Sequence, residues 1–310
     1  MASGEDAKRK LRLAVDRLAG PGLLYTYERH FWLDFWRTPP IEAIEDYGLE
    51  ARVYGPVQVT LLAAMPRMPL IALLLGAADP DAVSDGHLGE ALDWIEALGI
   101  DCRIPIRPDF AESGAAEDLL NQRGYRRTAS LARFVRDASA PGFPEPPGIE
   151  VDEWTEETEG FGDYFEEGFG LEFPANCLFE GLPGRRGWRC YVAVDEREYG
   201  AGAATMLLHP DVAQLGFATA KASARGRGVH MTLLRRRILD AAAAGRDLIF
   251  ADTEEPLDDP DGPSRATRNL LRAGFKQFSV RPVWRPPLPP ADEDDEDDDY
   301  DEDHDFDLED

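Results

Sequence analysis

Ala213-Gln214-Leu215-Gly216-Phe217-Ala218-Thr219-Ala220 reads as a β-strand, and it runs directly into Lys221-Ala222-Ser223-Ala224-Arg225-Gly226-Arg227-Gly228-Val229-His230, after which a helix begins. A glycine-rich turn between a strand and a helix leaves several backbone N–H groups unpaired, with the positive end of the helix dipole behind them. That arrangement cradles an anion. Glycine permits positive φ and close approach of the backbone to a phosphate, and Arg225 and Arg227 add charge that can pair with it. A pyrophosphate suits the site. In the following helix Met231, Leu234, Ile238 and Ala241 form one apolar face, which places Arg235, Arg236 and Arg237 mostly toward solvent, a contact with a nucleotide phosphate being the minority reading.

Outward from this stretch, strands and helices alternate: a helix near Glu156 to Phe169, strands at Trp188 to Val194 and Gly200 to Leu207, a strand at Asp247 to Thr253, a helix from Ser264 to Arg272 and a last strand from Phe275 to Trp284. Such an order predicts a mixed α/β sheet. The N-terminal half has the same plan. Asp6 to Leu18 has helical spacing, an aromatic segment spans Tyr25 to Trp36, and β-type runs follow at Ala51 to Tyr54, Val57 to Ala64 and Leu70 to Leu75. A helix over Leu88 to Leu98, a strand near Cys102 to Ile106, a helix ending near Asn121 and a strand ending near Val135 complete it. Leu120, Gly124, Tyr125 and Phe134 repeat the spacing of Leu270, Gly274, Phe275 and Trp284, which points to a duplicated domain. The prolines and glycines of 138–147 favour an extended linker and set the boundary there.

A second resemblance rests on motifs. Arg225-Gly226-Arg227-Gly228-Val229 resembles the acyl-CoA-binding motif of the GCN5-related N-acetyltransferases (GNAT), and Ser264 to Phe275 resembles that family's last helix and its Gly-Phe turn. The resemblance covers 148–286. It implies a splayed mixed sheet, with a pantetheine arm along the backbone of Ala218, Thr219 and Ala220, a pyrophosphate on Arg225, Gly226, Arg227, Gly228, Val229 and His230, and a cofactor contact from Asn269, unless that side chain caps backbone. The implied cosubstrate is acetyl-CoA without a metal, and the implied reaction is attack of a neutral amine on the thioester. Two positions depart from the family pattern: His230 stands where Gly or Ala is usual, and Leu270 where a tyrosine acid is frequent. His230 reads as an exposed polar residue or as a proton shuttle. Glu166, Glu167 and Glu172 read as surface charges or as recognition of a cationic amine. No catalytic base is assigned.

The expected fold is therefore α/β with two GNAT-like lobes, each a mixed sheet flanked by helices: a degenerate lobe over 1–137, a linker over 138–147, an acyltransferase domain over 148–286 and a disordered acidic tail over 287–310. The loop from Ala77 to His87 contains Asp79, Asp81 and Asp85 and no Lys or Arg, so a pyrophosphate would be repelled there. The expected activity is acetyl transfer to an amine of a small molecule or protein. The alternative is a non-catalytic acyl-CoA-binding or protein-interaction module. A dinucleotide-binding oxidoreductase fits poorly, because the GxGxxG spacing is absent.

The net charge of −27 is concentrated: Asp292 to Asp310 holds 15 of the 60 acidic residues and no Lys or Arg. A chain of this balance lacks the basic surface that phosphate-backbone binding needs, so no nucleic-acid partner is expected. Three cysteines without CxxC spacing suggest a reducing, cytoplasmic setting and no zinc site, and the longest apolar run, Leu70 to Ala78, is too short to cross a bilayer.

Overall fold

The computed structural model of the chain describes residues 22–39, 41–68, 70–155, 160–171, 173–195, 198–257 and 262–287. The expected helix over Asp6 to Leu18 and the acidic tail over 292–310 lie outside them. Helix α1 (Leu23–Phe35) carries the aromatic segment, followed by α2 (Ile41–Tyr47), a three-stranded sheet of β1 (Leu49–Tyr54), β2 (Val57–Leu62) and β3 (Leu73–Leu75), and α3 (His87–Ala97). Strand β4 (Ile104–Pro105), α4 (Ser113–Gln122) and β5 (Arg126–Asp137) close the N-terminal half. Then come β6 (Ile149–Trp154), α5 (Asp163–Phe169), α6 (Cys177–Glu180), β7 (Trp188–Asp195), β8 (Glu198–Leu208), β9 (Val212–Ala220), α7 (Val229–Ala243), β10 (Leu248–Pro256), α8 (Arg265–Arg272) and β11 (Lys276–Arg285). Sequence reading assigned neither β6 nor α2. Strand β6 has the weak burial alternation of a sheet edge, so its period-2 signal is faint.

Strands β4 to β11 form one eight-stranded sheet in the order β4-β11-β5-β10-β9-β8-β7-β6. Only β9 and β10 pair in parallel within it, and each is followed by a helix that crosses a sheet face. The placement of β5 and β11 was not foreseen. The last strand of the N-terminal half, β5, lies between β10 and β11, while β11 pairs with β4. The two halves have exchanged their final strands.

The cores show the same exchange. Phe134 of β5 packs with Met231, Leu234 and Ile238 of α7, whereas Trp284 of β11 packs with Leu88, Leu92 and Ile95 of α3. The spacing echo therefore has a structural meaning: Gly124 and Gly274 both take positive φ, at 82° and 85°, to turn each helix into its exchanged strand. A third core joins the halves, with Phe31, Phe35 and Trp36 of α1 against Phe165, Phe179 and Trp188. Phe35 and Phe179 meet edge to face at 5.1 Å. The aromatic segment thus packs as core, and it also brings α1 to the site described next.

Candidate functional site

Strands β9 and β10 pair from Val212–Leu248 only as far as Leu215–Ala251. Beyond that point β10 stays paired with β5 and β9 with β8, so the facing edges of Gly216 to Ala220 and Asp252 to Pro256 separate. A bulge marks the divergence: Gly216 and Phe217 of β9 together oppose Thr205 of β8. Gly216 is required there, since a Cβ would lie 2.3 Å from the Thr205 hydroxyl and 3.0 Å from the Phe31 ring.

The glycine loop lies at the outer end of the splayed edge. After a single 3-10 turn (Ala222–Ala224), Gly226 and Gly228 take φ of 81° and 97°, and the first helical bond of α7 runs from Thr232 N–H to Gly228 O at 3.0 Å. The amides of Val229, His230 and Met231 belong to the first turn, which has no preceding carbonyls to bond. A Cβ on Gly226 would meet nothing within 4 Å, so that side of the loop is open, whereas one on Gly228 would lie 2.7 Å from Pro146 of the linker. Arg225 is exposed. The Arg227 guanidinium pairs with the buried Asp195 carboxylate at 2.5 Å. Thr219 is buried, its side chain pressed against Gly168 of α5; the Lys221 N–H donates to Ala201 O at 3.0 Å, so in the same register Thr219 turns its backbone toward Ala203 of β8 and the backbone groups of Ala218 and Ala220 face the splay.

Between the separated edges is a cavity of about 320 Å³. Helix α7 presents His230, Leu234 and Arg237 to it, α8 presents Ala266 and Leu270, and α1 closes it with Glu28, Phe31 and Trp32. Two sequence expectations are corrected here. Arg237 does not face solvent: it is 2% exposed and donates to Leu233 O and Thr205 O, each at 3.2 Å. Positions 230, 234, 237 and 241 share one helical stripe, so the spacing held the signal and the residue's charge masked it. Arg235 and Arg236 are also engaged, with Phe143 O and with Asp240. His230 is not simply exposed either. Its Nδ1 lies 3.2 Å from Asn269 Nδ2, and burial followed by the charge of Arg237 lowers its pKa to about 4, so it is neutral at pH 7. Asn269 thus holds His230 rather than a helix backbone group.

Glu166 and Glu167 are exposed, accepting from Asn176 and facing Lys221 respectively, and neither lines the cavity; Glu172 is outside the described residues. The carboxylates that do line it are Glu28, Asp252 and Glu254. Glu28 is 1% exposed and takes bidentate bonds from Arg281 at 2.7 and 2.8 Å, while Arg133 bridges Glu28 at 2.7 Å and Asp252 at 2.7 and 2.8 Å. Burial alone would raise the Glu28 pKa; Arg281 and Arg133 outweigh it and hold the carboxyl at about 2. Glu254 pairs with Arg103 at 2.9 Å. These residues come from α1, β5, β10, β11 and the approach to β4, too far apart in sequence to form a motif. In the N-terminal half, Asp79 of the corresponding loop pairs with Arg29 at 3.2 Å.

Architecturally similar proteins are found among solved structures. A GCN5-related N-acetyltransferase from Sphaerobacter thermophilus aligns with a TM-score of 0.56 and 17% identity over 76% of this chain and 78% of its own. One from Kribbella flavida gives 0.52 and 14% over 80% and 93%. A tandem GNAT protein from the clavulanic acid biosynthesis pathway gives 0.50 and 17% over 76% and 79%. The chain has the GNAT fold. At these identities the likeness concerns the fold, and no protein-family profile and no curated protein sequence matches the chain. The GNAT splay, glycine loop and crossing helices of this chain are the features laid out above, and no helix among its described residues is long and apolar enough to cross a membrane.

Proposed function

We propose that the protein is an acyl-CoA-dependent N-acyltransferase, with acetyl-CoA as donor and an amine of a small molecule or protein as acceptor. The observation that carries this reading is the unpaired β9 edge, which opens on the cavity at one end and on the glycine loop at the other. Residues 148–286 supply the donor site, and 1–137 supply a wall of the acceptor side through α1. The open loop at Gly226 and the amides through His230 hold the pyrophosphate. The Ala218-Thr219-Ala220 edge pairs with the amide-bearing arm through the free backbone groups of Ala218 and Ala220, in the manner of strand addition. When bound, the cosubstrate supplies an activated acyl thioester. This chain's part is to fix that arm, exclude water with Phe31, Trp32 and Phe217, and keep the acceptor beside it. Three free cysteines fit a reducing, cytoplasmic setting.

A second reading, a non-catalytic acyl-CoA-binding module, is favoured by Leu270, an apolar residue on the cavity wall where a proton donor would be useful. Calorimetry with acetyl-CoA, combined with CoA release over a panel of amines, separates the two. Wild type is expected to bind saturably and to release CoA when an acceptor is present. Arg225→Glu, an exposed charge reversal beside the loop, is expected to weaken binding at least tenfold, or about 1.4 kcal/mol. Binding without amine-dependent release would favour the module. Absence of binding by wild type would end both readings.

A further inference from the structure

The charges lining the cavity balance with one exception. Glu28 and Asp252 are matched by Arg133 and Arg281, and Glu254 by Arg103. Arg237 remains. Its two hydrogen-bonded nitrogens reach backbone carbonyls, and no carboxylate among the described residues pairs with it. The titratable groups around it are His230 on its own helix and Tyr191 of β7, whose hydroxyl donates to Asp240 at 3.0 Å; Asp240 is already paired with Arg236. The bulge accounts for one of its bonds, because Thr205 O faces the strand whose extra residue interrupts the ladder. A glutamine would supply that donor without a buried charge, whose desolvation costs several kcal/mol. An unmatched buried cation on a cavity wall instead calls for an anionic ligand.

Position along the cavity decides which part of a ligand carries that charge. From His230 to Arg237 is roughly 10 Å along α7 at about 1.5 Å per residue. From Ala220 back to Gly216 along β9 is roughly 13 Å at about 3.3 Å per residue. Helix α7 runs back over β9, so Arg237 lies level with the bulge, at the opposite end of the unpaired edge from the glycine loop.

We propose that Arg237 is an anion-binding residue that receives the sulfur of CoA as its thiolate. This rests on the acyl-CoA reading above, in which the loop takes the pyrophosphate and the far end of the edge takes the sulfur. In transfer, the acceptor nitrogen forms its bond to the carbonyl carbon and gives its proton to solvent. Arg237 then stabilises the electron pair left on sulfur as the carbon–sulfur bond breaks, and the guanidinium keeps its own protons throughout.

The test is calorimetry of CoA and of desulfo-CoA with the full chain near pH 7.5, in buffers of different ionisation enthalpy. CoA is expected to release a proton on binding and desulfo-CoA none, because a thiol that is protonated in free solution ionises against the guanidinium. Arg237→Gln keeps a donor for Thr205 O; it is expected to bind desulfo-CoA like wild type, to release no proton with CoA, and to lose roughly tenfold in CoA affinity, one pKa unit's worth. Arg237→Lys is expected to keep the release. Wild type that binds CoA with no proton release overturns the assignment, whether or not the variants fold, as does an Arg237→Gln protein that releases as much as wild type. If wild type binds neither ligand, the acyl-CoA reading itself fails and this assignment falls with it.

Discussion

A carboxylate as deeply buried as Glu28 persists because two guanidiniums meet it, and removing its charge would strand both of them. Glu28→Gln is therefore expected to destabilise the chain by about 3–5 kcal/mol, read from urea denaturation. His209 is the opposite case, a base kept neutral. It stacks on Tyr27 at 4.3 Å and bonds Gln214 Oε1 at 3.1 Å, and burial lowers its pKa to about 4. The unfolded chain binds the proton more readily, near pH 6.5, so stability from this residue is present above pH 6.5 and is lost as pH falls toward 4. Between pH 7.5 and 5 the loss is on the order of 2 kcal/mol. His209→Phe should flatten the pH dependence of the denaturation midpoint over that window, whereas an unchanged slope would assign the dependence elsewhere.

Among the elements, the loop before α7 is the one whose two glycines do different work. Gly228 has φ of 97° and Pro146 packed over it, whereas Gly226 has φ of 81° and open space. Gly226→Ala is expected to cost about 1 kcal/mol from backbone strain alone. Gly228→Ala should cost more, because the linker must also shift; thermal midpoints of the two variants check the order. Helix α8 begins on Ser264, whose hydroxyl accepts from Thr267 N–H at 3.1 Å and donates to Glu255 at 2.6 Å. The loop was legible in sequence because its chemistry is contiguous: a strand, two glycines, two arginines and a helix start. The pairing of Arg227 with Asp195 was not legible, because Asp195 is 32 residues away at the end of β7 and nothing local reveals it.

At the scale of the molecule, the exchanged strands tie the halves together. Separating the chain at 138–147 would remove β5 from between β10 and β11 and β11 from beside β4. Residues 148–287 expressed alone are expected not to fold cooperatively, and co-expression with 1–147 should restore a single unfolding transition in calorimetry. A C-terminal half that folds alone with a sharp transition would show the exchange to be dispensable.

The sequence by itself determined the alternation of strands and helices that gives a mixed α/β sheet and the strand–glycine turn–helix at 213–243, because each depends on residues within a few turns of one another. Only the tertiary structure decided that β5 and β11 change places, that α1 reaches across to close the cavity, and that Arg237 stands in its wall as the unmatched charge. Those outcomes depend on which distant surfaces bury one another and which charges then find partners, and neither is encoded in local spacing.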